Sequence, residues 1–304
     1  MTSLAAIDCG TNSVRLLVAE AVDGTLVERA REVRLTRLGQ GVDATGAFHP
    51  DALGRTFAVC EEYAGIIAEH QVSRLRFVAT SAARDAGNRD AFFGGVRERL
   101  GVEAEIIPGA EEAELSFTGA LTVNPQAATP ALVMDIGGGS TELVLGRPGQ
   151  LDQAVSLDIG SVRLRERFLH ADPPTLQQVA EATAYVDELL DASGVDIASA
   201  RTWFGVGGTA TSLAAMLQRL ATYDRATVHG STITRGQLSG VVEELLVTTA
   251  ADILASYPTM VPGRADVICC GALIAARVAR RAQVDLTVSE ADILDGLVLG
   301  LAHA

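Results

Sequence analysis

The chain alternates short, wholly apolar runs with longer stretches whose apolar residues recur at helical spacing. This is the pattern of an α/β protein, with strands buried on both faces between helices. Leu4 to Ile7 reads as a strand ending in Asp8, followed by the polar turn Cys9-Gly10-Thr11-Asn12-Ser13, an apolar run from Val14 to Val22, and the hairpin signal Asp23-Gly24. Ala131 to Met134 ends in Asp135. Ile136-Gly137-Gly138-Gly139-Ser140 follows it, then Thr141 to Leu145, the turn pair Pro148-Gly149, and Leu151 to Leu157. These are one supersecondary unit written twice. Offset by 127 positions, they share an Asp (Asp8, Asp135), a Gly (Gly10, Gly137), a Ser (Ser13, Ser140) and a Leu (Leu16, Leu143), which predicts an internal duplication.

Between the units the pattern predicts a helix over Asp51 to Glu69, a strand over Leu75 to Ala79, a helix over Ala91 to Leu100 and a strand over Val102 to Ile107. Pro108-Gly109 then breaks the chain before a helix from about Glu111 to Leu121. The Pro-flanked polar stretch Asn124 to Pro130 is the expected lobe boundary, dividing a first lobe, 1–124, from a second, 125–304. In the second lobe helices are expected at 175–192, 208–221, 235–246, 264–281 and 290–302, with a strand at 202–206.

Length and composition narrow the classes. A chain of 304 residues with 48% hydrophobic side chains has room for two domains with their own cores, which excludes wholesale disorder. The net charge of −14 argues against general DNA binding. All 24 cationic side chains are arginine, so a P-loop or Schiff-base lysine is excluded. Cys9, Cys60, Cys269 and Cys270 form no C-x-x-C pair and are expected to be buried thiols in a reducing compartment. The uncharged apolar run Val267 to Ala276 is about half of the ~20 residues a bilayer span requires. No basic segment precedes a hydrophobic run at the N-terminus, so neither membrane nor secretion is expected, and the expected compartment is the cytoplasm.

Three glycine-rich turns follow apolar strands: Asp8 to Ser13, Asp135 to Ser140, and Gly205-Val206-Gly207-Gly208-Thr209. Such turns bring backbone N–H groups close to an anion, and a helix starting after Gly208 adds its N-terminal partial charge. Three in one chain, two of them paired by the repeat, point to phosphate. Asp135 and Glu142 are hard oxygen ligands beside such a turn and suit Mg²⁺ shared with phosphate; the plainer alternatives are a turn-capping Asp and an exposed strand Glu. Glu111 and Glu112 open a helix, where acidic residues complement the dipole, but a phosphoanhydride hydrolase also needs a carboxylate to activate water. An ordinary pKa of about 4.3 would leave Glu112 ionised at neutral pH. Arg84, just after a buried strand, suits a phosphate fork, or else a salt bridge with Asp85. Arg163, Arg165 and Arg167, interleaved with Glu166, read as a solvated helix face. The five histidines lie too far apart for a metal pair.

Ala6 to Leu16, Ala79 to Asn88, Pro108 to Leu115 and Asp135 to Leu143 resemble, in order and spacing, the exopolyphosphatase/guanosine pentaphosphate phosphatase family. Gly205 to Thr211 and Arg264 to Ile268 extend the resemblance over essentially the whole chain. It implies two duplicated actin-like lobes, of the sugar kinase, heat-shock chaperone and actin superfamily with its ribonuclease H-like topology, and Mg²⁺ and terminal phosphates in the cleft between them. It implies that a C-terminal helix at about 290–304 packs back onto the first lobe. By position, Glu112 matches the catalytic carboxylate, and Asp135 and Glu142 match the metal-organising acids. Asn12, Ser13, Arg84, Gly137, Gly138, Gly139 and Ser140 match phosphate contacts, joined by Gly207, Gly208 and Thr209 of the third turn and by Arg264.

The implied activity is Mg²⁺-dependent release of terminal orthophosphate from inorganic polyphosphate. Longer relatives continue into C-terminal helical domains that grip long chains, so short chains are the expected substrate here. Guanosine pentaphosphate is the alternative substrate, and a homodimer is left open. An ATP-dependent small-molecule kinase of the same fold and a non-catalytic nucleotide-binding protein are the more distant alternatives.

Overall fold

The computed structural model describes residues 2–22 and 25–303. Both repeats build the same sheet. The first contains β1 (Thr2–Cys9), β2 (Ser13–Val22), β3 (Thr25–Leu35), β4 (Arg74–Ala79) and β5 (Ala104–Ile106), in the order β3-β2-β1-β4-β5. The second contains β6 (Ala131–Ile136), β7 (Thr141–Arg147), β8 (Gln150–Leu157), β9 (Thr202–Val206), β10 (Thr232–Ile233) and β11 (Leu286–Val288), in the order β10-β11-β9-β6-β7-β8. Outward from β1 and from β6 the two orders coincide, with β10 as an added edge. Both sheets carry two antiparallel partners on one side and parallel ones on the other. The duplicated α/β lobes expected from the sequence are therefore the observed architecture. The predicted Asp23-Gly24 turn lies outside the described residues. At the matching Pro148-Gly149 turn, Gly149 holds a φ of 77°, which glycine adopts without strain.

The apolar runs follow from burial on two faces. Alternate residues of β1 enter different cores: Ala5, Ile7 and Cys9 pack beneath the helices Pro50–Glu69 and Arg89–Leu100, while Leu4 and Ala6 meet Ile293, Leu297 and Val298 of the C-terminal helix Ile293–His303. In β6, Leu132, Met134 and Ile136 face the large second-lobe core, and Ala131 and Val133 meet Ala113, Phe117 and Ala120 of the central helix Gly109–Thr122. The central helix thus covers the second sheet, and the C-terminal helix covers the first. The two helices cross at Gly119 and Gly296, where a Cβ would overlap the Asp292 and Leu115 carbonyls respectively. This crossing sets the N-terminus of the central helix, with Glu112, at the junction of the lobes.

One helix starts later than its pattern suggested: Ile268–Ala279 replaces 264–281. Pro262 and Gly263, with φ of 79°, hold residues 261–267 in turns, and Arg264 sits on those turns rather than in the helix. All four cysteines are buried and unpaired. Among the described residues no helix is long and apolar enough to cross a membrane.

Candidate active site

A cleft of about 450 Å³ opens between the lobes. The two repeated turns face each other across it, each closed by the same bond: Gly10 N donates to Ser13 O at 2.9 Å, and Gly137 N to Ser140 O at 3.0 Å. Glycine is required here by close approach. A Cβ on Gly138 would lie 2.9 Å from Thr11 Cβ and 3.2 Å from Asn12 N, and one on Gly139 would lie 2.7 Å from Thr11 Oγ1. Among the described residues the N–H groups of Thr11, Asn12, Gly138 and Gly139 donate to no protein acceptor. They line the cleft as free donors, the arrangement that holds an anion.

The strand ends place carboxylates beneath these donors. In the second lobe Glu142 stands directly opposite Asp135, and in the first lobe the same register puts Arg15 opposite Asp8. The repeat therefore has a buried ion pair in one lobe and a buried like-charged pair in the other. Arg15 grips Asp8 Oδ2 through Nε at 2.8 Å and Nη2 at 2.5 Å, and reaches Asp292 Oδ2 at 2.5 Å through Nη1. Asp135 Oδ2 accepts from Ser116 Oγ at 3.0 Å, and Glu142 Oε1 from Ser156 Oγ at 2.7 Å. Burial raises the pKa of Asp8 and pushes that of Asp135 up to about 6 against the pull of Arg15. Burial, reinforced by the charges of Glu112 and Asp135, pushes Glu142 well above the carboxylate range.

Glu112 lies in the first turn of the central helix, and Arg84 Nη1 bonds its Oε2 at 2.8 Å and the Ile107 carbonyl at 3.0 Å. Burial drives its pKa up to about 7 although Arg84 opposes the shift. The sequence alone suggested an ordinary value; what it lacked was the lobe packed over the carboxylate. The third glycine turn opens the helix Gly207–Leu217. Gly207 has φ of 74°, and a Cβ on it would lie 2.7 Å from Asp135 Oδ1; one on Gly208 would lie 2.9 Å from Arg264 Nη2. Arg264 is partly buried, and desolvation lowers its pKa. Its one hydrogen bond among the described residues goes from Nη1 to Ser212 Oγ at 3.0 Å.

Asn12, Ser13, Gly137, Gly138, Gly139, Ser140, Gly207, Gly208, Thr209, Arg264, Glu112 and Asp135 all line this one cleft. Glu142, 1% exposed, lies just beneath its floor, so the exposed-strand reading of that residue is wrong. Arg84 stands behind Glu112 and its guanidinium is engaged there. Arg163 and Arg167 also correct the solvated-face reading. Arg163 pairs with Asp85 and with Asp43 (3.1 Å), Arg167 pairs with Asp43 at 2.5 Å, and both bonds to Asp43 tie the second lobe to the first. Sequence reasoning missed Asp8, Arg15 and Asp292 as cleft residues. The repeat aligned Asp8 with Asp135, which was the available signal.

Two repeated lobes meet on paired glycine turns, and the cleft between them joins free N–H donors, buried carboxylates and a partly buried guanidinium, a lining that suits an anion. Residues 17–304 match the Ppx/GppA phosphatase family, and the chain belongs to that family of enzymes. It is 48% identical to exopolyphosphatase 2 of Mycobacterium tuberculosis over 99% of both chains. A crystal structure described as an exopolyphosphatase-like protein superposes with a TM-score of 0.94 at 43% identity, covering 99% of this chain and 97% of that one. The Aquifex aeolicus member of the Ppx/GppA family gives 0.84 at 31% identity, covering 99% and 98%.

Proposed function

We propose that this enzyme hydrolyses the terminal phosphoanhydride of inorganic polyphosphate, releasing orthophosphate in a Mg²⁺-dependent reaction, and that it prefers short chains. The observation that carries the reading is the joining of free turn N–H groups, the Arg264 guanidinium and a base of pKa about 7, Glu112, in one cleft. The exopolyphosphatase name of the 48% identical relative supports the substrate class. Four unpaired buried thiols support the cytoplasm as its compartment.

The donor set suits a hard divalent cation. Asp8 Oδ1 is buried without a partner, and the like-charged Asp135 and Glu142 face each other with only serine hydroxyls in reply. Among the described residues no group of three His, Cys, Asp or Glu is gathered tightly enough to cage an ion alone. That fits Mg²⁺, which keeps much of its water and takes one or two carboxylates plus substrate oxygens. Asp135 and Glu142 would hold it, and when bound it would supply positive charge to the phosphate oxygens.

The chain's own residues do the rest. Free N–H groups of the two turns and the Arg264 guanidinium hold the terminal phosphate and meet the charge that develops on it. Glu112 takes a proton from the attacking water as its oxygen bonds to the terminal phosphorus. The bridging P–O bond breaks opposite, leaving orthophosphate and a chain one unit shorter. Arg84 fixes the Glu112 carboxylate by one oxygen and leaves the other for water.

The cleft is also lined by the apolar side chains of Val33, Leu35 and Val261 and by the exposed Tyr223. Apolar walls favour guanosine pentaphosphate as the second reading, since a nucleoside can bury surface there. Orthophosphate release from tripolyphosphate, long polyphosphate and guanosine pentaphosphate, with and without Mg²⁺, tests both. Mg²⁺-dependent release from polyphosphate is the expected result. Release from guanosine pentaphosphate alone moves the assignment to that nucleotide, and release from none of the three overturns the hydrolase reading.

A further inference from the structure

Arg264 belongs to the second lobe, but the loop that carries it is fastened to the first. Asn12 Nδ2 donates to Gly263 O at 3.3 Å, and Arg37 Nη2 pairs with Asp266 Oδ2 at 2.8 Å. Asn12 and Arg37 are themselves joined, because the Thr36 and Arg37 N–H groups both donate to Asn12 O, at 3.1 and 2.9 Å. A closed circuit results: first-lobe phosphate turn, Arg37, Asp266, the Arg264 loop, Gly263 and back to Asn12.

Two features mark the Arg37–Asp266 link as something other than a stability device. Arg37 holds a φ of 52°, a left-handed conformation that is strained for a residue with a Cβ. The pair is also incompletely satisfied: its side chains are partly exposed, but the Arg37 Nε and Asp266 Oδ1 atoms are themselves buried and have no partner among the described residues. An ion pair kept for stability would use those atoms, because leaving them bare offsets much of what the contact gains. The cost falls two residues from Arg264, at the point where the lobes meet.

We propose that Arg37 and Asp266 form an interlobe latch that positions Arg264, joining the first-lobe turn and the second-lobe guanidinium into one anion site. Neither latch residue lines the cleft, so both are positioning residues. The inference rests on the reading of Arg264 as a phosphate contact given above.

The test is the affinity for orthophosphate by calorimetry at saturating Mg²⁺, with kcat/KM on tripolyphosphate, for Arg37→Gly, Asp266→Asn, Arg264→Ala and the doubles with Arg264→Ala. Arg37→Gly suits the left-handed backbone, so its thermal midpoint should match or exceed wild type while orthophosphate binding weakens about tenfold, as loss of one charge-assisted contact would give. Asp266→Asn should weaken binding similarly and serves alone if the glycine variant does not fold. In the Arg264→Ala background neither change should add a further loss, and the charge exchange Arg37→Asp with Asp266→Arg should recover part of the affinity. Latch variants that bind orthophosphate like wild type, or whose losses multiply with that of Arg264→Ala, overturn the latch while leaving the phosphate contact standing. An Arg264→Ala variant with wild-type affinity removes the phosphate contact itself, and the latch with it.

Discussion

Glu112 is the proposed general base, and its surroundings decide how well it can serve. It is a buried carboxylate with an opposing arginine, and its pKa of about 7 puts it near the operating pH, where a general base transfers protons best. Glu112→Gln keeps the shape and the Arg84 contact but removes the base. Turnover should fall about 10²–10⁴-fold with the thermal midpoint held or raised, and single-turnover orthophosphate release would measure it. The same burial sets a pH dependence of stability. In the folded chain Glu112 and Asp135 have pKa values of about 7 and about 6, above their ordinary 4.5 and 3.8, so folding favours their protonated forms. Stability from these groups is full below the unfolded values and is lost as pH rises through about 6 to 7. In chelator, the thermal midpoint should therefore fall between pH 5 and pH 8. Mg²⁺ should restore it at pH 8 and do little at pH 5; a midpoint that rises with pH in chelator would refute the assignment. Asp135 stood out in the sequence because it ends an apolar strand at a glycine turn, whereas Glu112 by residue type alone read as a helix-dipole carboxylate and was singled out by the family resemblance. Arg15 did not stand out, since an arginine within an apolar strand gives no sign that its register partner is a cleft carboxylate.

Secondary-structure elements account for how these residues meet. Long periodic helices such as Leu176–Ala192 and Arg235–Leu246 were readable from their apolar stripes, with the capping boxes at Thr175 and Thr234 fixing their starts. Strands β10 and β11 were not, because a few residues do not establish a period, whereas the short helix Ser161–Arg167 reads as a helix face from its three arginines. Nor does a stripe reveal which sheet it will cover. The apolar face of Gly109–Thr122 fits either sheet by composition, and its place on the second is decided by the glycine crossing with Ile293–His303. That crossing is tied to the site, since the Asp292 carbonyl lies against Gly119 while the Asp292 carboxylate holds Arg15 and, through it, Asp8. Gly119→Ala should cost about 1–3 kcal/mol by overpacking and also lower kcat/KM, whereas Gly54→Ala, in a helix with open space at that position, should do neither. Denaturant unfolding and steady-state kinetics on the two variants would separate these effects; equal behaviour would mean that the crossing does not brace the site.

The proposed preference for short chains rests on the charge of the whole molecule. A chain of net charge −14 repels polyanions at a distance, so productive binding depends on local positive charge in the cleft. Within the outer cleft that charge is already spoken for. Arg31 pairs with Asp295 and Glu28, Arg225 with Glu28 and Glu290, and Arg15 with Asp8 and Asp292. Arg264 is the cleft arginine with no carboxylate within ion-pair reach among the described residues, and it lies against Gly208 of the third glycine turn. The cleft is also lined by Val33, Leu35 and Val261, surfaces that return nothing for a phosphate's lost hydration. Each further phosphate then adds repulsion without a partner cation. At fixed free Mg²⁺ and equal concentration of chain ends, kcat/KM should be highest for tripolyphosphate or tetrapolyphosphate and should not rise for chains of hundreds of units. Monovalent salt should narrow the gap by screening the long-range repulsion, which acts over about 10 Å at 0.1 M. A value of kcat/KM per end that climbs with chain length, and that salt depresses, would instead mean that a cationic track outside the cleft grips the chain.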